Sequence, residues 1–385
     1  MMAALLLTAC DGNDNAATET APAAVPVAFG AQTAEAYTRA AAGTIATNAA
    51  LQATDGFGVF GCYTGIHRYA DSNVQPNFMY NEHIAYNDDA GLWEYSPVKY
   101  WPNGEGDALG GDAAGQLSHY VTFFAYAPYS DNDGSDPEAN AAGYCISAFS
   151  YQHERTNPWL TYRLMPQEHL DKQVDLLLAV PMFDQVKPSN AATGHVQFTF
   201  EHALACAGAE VAVTCTDAMK QRLWDDMAAD ADVDRQQVVV TDLYIVYELT
   251  DHARLSLWHN GAISWEPILS GSWTTTRRVD YADVLATPPA AFDIANGDTR
   301  PAAGDAQQWS DDSHGVFYIP VDVGHHTQTA TVTLSYEVRH YAHADPDTPV
   351  TDLARSVTTT LTLADYPDAY QPGRCLNLTL NIDDE

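Results

Sequence analysis

Alternation of apolar and polar residues with a period of two runs through most of this chain and restricts it to β-structure. Val196, Phe198 and Phe200 fall on one face, with Gln197 and Thr199 on the other. Val239, Leu243, Ile245, Tyr247 and Leu249 are expected to share a face. Val332, Leu334, Tyr336 and Val338 oppose Thr333, Ser335 and Glu337, and Val357, Leu361 and Leu363 alternate with Thr358, Thr360 and Thr362. Leu376, Leu378, Leu380 and Ile382 close the chain in the same way. One inward and one outward face per strand is the pattern of packed antiparallel sheets. Earlier strand candidates lie at 25–29, 56–63, 77–86, 92–100, 119–126, 144–151, 159–164 and 173–180.

One stretch breaks the rule. Met219, Leu223 and Met227 recur at helical spacing after Thr216 and Asp217, either of which can cap. The spacing predicts a short helix over 217–229, inserted in an all-β protein. The Lys-Pro-Ser-Asn-Ala-Ala-Thr-Gly run at 187–194 predicts a boundary between two tandem β-sandwich domains, 25–190 and 191–385.

The formal charge of -34 sets this chain against nucleic acid as a partner. No apolar run reaches the length of a membrane-spanning helix. The start, Leu6-Leu7-Thr8-Ala9-Cys10, reads as a lipoprotein signal over residues 1–9, with nine residues and no Lys or Arg before the cysteine. Cleavage before Cys10 would leave that residue to carry lipid, and 10–24 would form a flexible tether. Lipidation of Cys10 leaves five of the six cysteines. No Cys-x-x-Cys pair exists; Cys206 and Cys215 can bridge or stay as buried thiols.

Catalytic signatures are absent: there is no Gly-x-Ser-x-Gly, His-Glu-x-x-His, phosphate loop or dinucleotide fingerprint, and the chain is read as a non-enzyme without cofactor. His153 and Glu154 have no partner at metal-ligand spacing. Asp131, Asp133 and Asp136 gather hard oxygen ligands on one turn. They make a weak calcium candidate, because Gly134 is misplaced for an EF-hand and no distal Glu aligns. Trp93, Tyr95, Tyr100, Trp101, Phe123, Phe124, Tyr126 and Tyr129 could form a sugar-stacking platform, although their alternation favours a core. The sequon at Asn377-Leu-Thr379 falls in a strand candidate.

Several segments together resemble the fimbrillin family of type V pilins. They are Thr54-Asp-Gly-Phe-Gly-Val-Phe60, Asn77-Phe-Met-Tyr-Asn81, Leu92-Trp-Glu-Tyr-Ser-Pro-Val-Lys-Tyr-Trp-Pro102, Val121-Thr-Phe-Phe-Ala-Tyr-Ala-Pro-Tyr129, Val174-Asp-Leu-Leu177 and Val196-Gln-Phe-Thr-Phe-Glu-His-Ala-Leu204. Their order matches the family's order. The resemblance implies two transthyretin-like sandwiches, export as an outer-membrane lipoprotein and a place in a surface fimbria. It implies that an arginine-specific protease removes an N-terminal strand and that a strand from another fimbrial subunit takes its place. On this chain the removable strand is Val25, Val27 and Phe29, and the cut falls between Arg39 and Ala40. The candidate donor strand is Leu376, Leu378, Leu380 and Ile382. Major pilins commonly continue for another strand, whereas this sequence stops at Asn381-Ile-Asp-Asp-Glu385. If 374–382 is the last strand of its own domain, a tip, anchor or accessory subunit is favoured. Adhesive variation is then expected at 285–312 and 131–140, facing host or bacterial surface ligands. The alternative is a non-polymerising surface lipoprotein adhesin that binds glycan or host protein.

Overall fold

The structure, a computed structural model, describes residues 25–34, 44–72, 74–102, 119–152, 157–188, 195–268, 274–281, 289, 291–295, 306–310, 317–321 and 327–383. Cys10, Arg39 and Ala40 lie outside the described residues, as do the tether, His153, Glu154 and most of 285–312.

The first half supplies β1 (Ala28–Thr33), α1 (Asn48–Gln52), β2 (Phe57–Gly65), β3 (Met79–Asn87), β4 (Leu92–Glu94) and β5 (Tyr120–Ala127). It continues through α2 (Ala141–Cys145), β6 (Ile146–Phe149), β7 (Trp159–Arg163), β8 (Leu177–Ala179), β9 (Met182–Gln185) and β10 (His195–His202). The second half supplies β11 (Ala205–Cys215), α3 (Asp217–Ala229), β12 (Val233–Thr250), β13 (His252–Ser256), β14 (Trp265–Pro267) and β15 (Thr274–Asp280). It ends with β16 (Phe292–Ala295), β17 (Gln307–Gln308), β18 (Phe317–Ile319), β19 (Thr329–Ala342), β20 (Asp345–Thr362) and β21 (Cys375–Ile382). The chain is all-β with few helices.

The first sheet runs β2-β3-β4-β1-β10-β8-β5, and β5 returns to β2. Seven staves therefore close into a barrel, with β9 attached outside the ring to β5. The expected pair of facing sheets is replaced by a closed sheet because β1 bridges β4 and β10. Full closure removes free edges, the exposed liability of an open sheet. Val27, Phe29, Phe57, Val59, Phe123, Phe198 and Phe200 fill the interior. The stretch at 187–194 does not end this unit: β10, which follows it, is a stave with Val196 inside.

The motif glycines have steric reasons. At Gly56, where φ is +80°, an added Cβ would stand 2.0 Å from the Ile84 carbonyl oxygen. At Gly58 it would stand 2.4 Å from the Tyr126 ring. The same tyrosine donates its hydroxyl to Asn81 Oδ1 at 2.7 Å, and Asn81 sits in the left-handed region at φ 47°. Burial holds the Tyr126 hydroxyl well above its ordinary pKa.

In the second half, β11 pairs with β21 on one edge and with β17 and β18 on the other. A second sheet runs β15-β12-β19-β20, with β16 also on β12. The two share one core that includes Val211, Val213, Ile245, Tyr247, Leu334 and Leu376. A third small sheet, β14-β13-β7-β6, joins strands from both halves. Helix α3 matches its expected span: Thr216 Oγ1 caps Met219 N, and Met219, Leu223 and Met227 are buried. On β12, Val238 rather than Val239 is buried. A bulge between Val240 and Asp242 inserts one residue and reverses which parity points inward.

The disulfide joins Cys206 to Cys375, which corrects the Cys206–Cys215 pairing considered from sequence. Cys206 and Cys215 both lie in the extended strand β11, which holds them roughly 30 Å apart at the rise of a strand. Cys62, Cys145 and Cys215 are buried free thiols, and burial pushes Cys62 and Cys145 up to about 12. As protonated thiols they are poor nucleophiles.

Candidate functional site

The β1 stave is held unequally on its two sides. Toward β10 it makes a six-residue parallel ladder, from Ala28 opposite His195 to Thr33 opposite Phe200. Toward β4 it has one ladder pair, Phe29 opposite Trp93, and an isolated bridge, Pro26 opposite Tyr100. Backbone bonds flank that bridge: Val27 N–H to Lys99 O and Trp101 N–H to Val25 O, both 2.9 Å. The Trp101 indole N–H, buried beside this seam, has no acceptor among the described residues. A buried donor left without a partner costs about 1–3 kcal/mol, so the β4 side is the weak side.

Side chains anchor the stave instead. Val27 and Phe29 are each 2% exposed, and Val25 is half-buried against the same core. Phe29 meets Phe57, Tyr95, Phe123 and Phe198, with ring centroids 5.6–6.5 Å apart. Burying a side chain of this size contributes about 1.5–3 kcal/mol. The alternation expected for Val25, Val27 and Phe29 is thus a buried face, while the ladder itself begins at Ala28 and extends past Phe29.

The chain re-enters the described fold at Thr44, and there it is fixed. Thr44 Oγ1 lies 2.7 Å from the Tyr318 hydroxyl, and Ile45 N–H donates to Asp175 Oδ2 at 2.9 Å. Asp175 also meets His202 Nδ1 at 3.0 Å, with both side chains at most 5% exposed. Asp175 carries no motif signal that could have flagged this role; it lies inside Val174-Asp-Leu-Leu177 as one polar residue in an apolar run. Replacing Asp175 with Ala strips two buried groups of their acceptor. The expected cost is about 1–3 kcal/mol for each, read as a lower denaturation midpoint with faster hydrogen exchange at Ile45.

Strands β10 and β11 form a near-continuous spine, interrupted only at Ala203 and Leu204, both fully buried. One edge of this spine is covered first by β1 and then by β21. Ala34 N–H donates to Phe200 O, Gly373 N–H to Leu204 O, and Cys206 N–H to Arg374 O. The candidate donor residues Leu376, Leu378, Leu380 and Ile382 therefore sit in their own sheet, parallel to β11 over 206–215, with Cys375 tied to Cys206 at the start of the strand. Leu376, Leu378 and Ile382 are buried.

The remaining candidates separate from this seam. Asp131 accepts from Asp133 N–H and Asn140 Nδ2, and Asp136 accepts from the N–H groups of Glu138 and Ala139. These backbone hydrogen bonds hold both carboxyls below their ordinary pKa. Asp133 accepts from Ser135 Oγ. The cluster is a polar turn that uses its own oxygens, and no group of three metal-ligating side chains occurs among the described residues. Of the aromatic group, Trp101, Phe123, Phe124 and Tyr126 are buried core, while Tyr100 is 53% exposed.

No family model matches the chain. Over 166 residues it is 29% identical to the fimbrium subunit Fim1C of Phocaeicola vulgatus, covering 42% of this chain and 38% of that one. The chain thus spans well under half the length of this curated relative. Its fold is similar to the crystal structure of a fimbrial protein from Bacteroides vulgatus, with a TM-score of 0.60 and 19% identity over 93% of this chain and 95% of the other. That second likeness speaks to fold alone. The sequence match and the shared architecture thus make this chain similar to a fimbrium subunit over part of its length and similar in fold to a fimbrial protein over most of it.

Proposed function

We propose that this chain is a cell-surface fimbrial subunit that accepts a strand from another subunit in the lane of β1 and keeps β21 in its own sheet. The observation that carries this reading is the asymmetry of the two lanes on one spine. The lane of β1 is closed by a short segment with a weak outer seam, whereas the lane of β21 is stapled by a disulfide 169 residues apart in sequence. In this reading Cys10 carries the lipid that places the precursor on the outer membrane. An arginine-specific protease cuts between Arg39 and Ala40, within the segment joining β1 to the fixed point at Thr44 and Ile45. The cut frees β1 while the new end stays bound through Asp175.

Loss of β1 would expose the backbone edge of β10 and the aromatic lining around Phe57, Phe123 and Phe198. An extended segment with apolar residues at alternate positions satisfies both at once. Holding β21 in its own sheet withdraws it as a donor, which favours a tip, anchor or accessory role, and adhesion is the function such a subunit can add. We read the barrel and the sheets from β11 onward as the two tandem units, the counterpart of the transthyretin-like pair, and the relatives named as fimbrial proteins support a non-enzymatic role.

A trypsin-like protease tests this on the full chain. The cut chain should bind a synthetic peptide of residues 25–34, the same peptide with Phe29→Ala should fail, and the uncut chain should bind neither. A chain that resists cutting between 34 and 44, or a cut chain that does not take up the peptide, overturns the reading.

A further inference from the structure

Strand β20 carries edge protection on one half only. Asp345, Pro346, Asp347, Pro349 and Asp352 stud its first half, and such residues keep a sheet edge from pairing. From 353 to 362 the sequence is Leu-Ala-Arg-Ser-Val-Thr-Thr-Thr-Leu-Thr, with Arg355 its one charged residue. β20 pairs with β19 on one side and, among the described residues, ends its sheet on the other. The unprotected half borders a groove of about 330 Å³ between the two sheets of the second half. Leu334, Val357, Thr359 and Leu361 line it from one sheet, and Leu380 and Ile382 from the other. Val357 is 51% exposed there.

We propose that this half-edge pairs with the same half-edge of a second copy of the chain, antiparallel about a two-fold axis, so that their sheets join. Self-complementary chemistry selects that occupant. The outer face of β20 already carries a hydroxyl ladder with β19: Thr331 to Thr360 at 3.0 Å, Thr333 to Thr358 at 3.1 Å and Ser335 to Ser356 at 2.9 Å. The inner face presents Val357, Thr359 and Leu361 to the groove. Antiparallel pairing centred on Thr359 sets Val357 opposite Leu361 of the second copy and Thr358 opposite Thr360. Apolar meets apolar on one face, and hydroxyl meets hydroxyl on the other.

Charge agrees with this placement. Two copies at -34 each repel, so a contact between them needs a stretch without carboxylates, and 353–362 has none. Screening by salt weakens the general repulsion, so association strengthens as salt rises toward physiological values.

The inference is independent of strand exchange and is tested on the uncut full chain, where β1 stays in place. Sedimentation velocity over a concentration series should show a monomer–dimer equilibrium. Val357→Lys should weaken it by about tenfold or more, and Thr359→Lys should do the same. Both sites are exposed and each change makes the chain less acidic, so neither lost folding nor greater net repulsion accounts for the loss, and at 359 the two new lysines would face each other across the axis; an unchanged melting curve verifies the first. Val350→Lys, equally exposed on the protected half, should dimerise as the parent does. A parent chain that stays monomeric throughout, whatever else occupies the groove, overturns the proposal. So does a dimer that Val357→Lys leaves intact or that Val350→Lys abolishes.

Discussion

Replacing Phe29 with Ala is expected to cost about 3–5 kcal/mol, the range for deleting a buried aromatic ring. Phe29 contacts four other rings inside the barrel, and its backbone is the ladder residue that pairs β1 with β4. The cavity thus opens at the point where ring closure is thinnest. Melting should fall by on the order of ten degrees, and hydrogen exchange along β10 should rise together with that of β1. Phe29→Leu, which refills most of the space, should recover much of the loss. Gln32→Ala, on the exposed side of the same stave, should do almost nothing. An unchanged melting curve for Phe29→Ala would mean that β1 is not part of the cooperative barrel.

The second large effect concerns the other lane. A cross-link between Cys206 and Cys375 closes a loop of 169 residues, and the chain-entropy relation assigns such a loop about 5 kcal/mol. Changing both cysteines to Ser should remove most of that and lower the denaturant midpoint, with a steeper slope because the released unfolded chain exposes more surface. The local signature is loss of amide protection at the start of β21, near Leu376. Ile382 remains protected for longer, because its side chain is 1% exposed and Thr216 N–H donates to its carbonyl. If the double variant keeps full protection at Leu376, the strand is held by packing alone. Its status as a fixed lane then no longer depends on oxidation.

Much of this arrangement was written locally. Val196, Phe198 and Phe200 alternate because β10 has one wet face and one dry face, and Met219, Leu223 and Met227 announce α3 because Thr216 stops the strand ahead of it. What local pattern cannot carry is the choice of partner. β1 lies parallel to a strand that starts 195 residues into the chain, and nothing in the composition of Val25–Pro26–Val27 names that neighbour. The disulfide is hidden for the same reason, since Cys215 lies near Cys206 in sequence and far from it along β11. The stretch at 187–194 is rich in turn formers, a composition that does not distinguish a connection within one core from the end of a core, and Val196 just after it still packs in the barrel. The anchor at Asp175 was invisible because one carboxylate among leucines reads as an accident until Ile45 and His202 are seen to face it.

The shared spine has a mechanical consequence. A strand pulled along its own axis loads all the bonds of its ladder together, whereas one peeled sideways breaks them singly. β1 and β21 lie end to end on one edge of β10–β11, both parallel to it. Tension applied lengthwise in the first lane therefore passes straight down the spine into the second ladder and its covalent staple, crossing no hinge loop. A pull along that axis is therefore resisted by two ladders and one covalent bond in series, where a sideways pull would meet single hydrogen bonds.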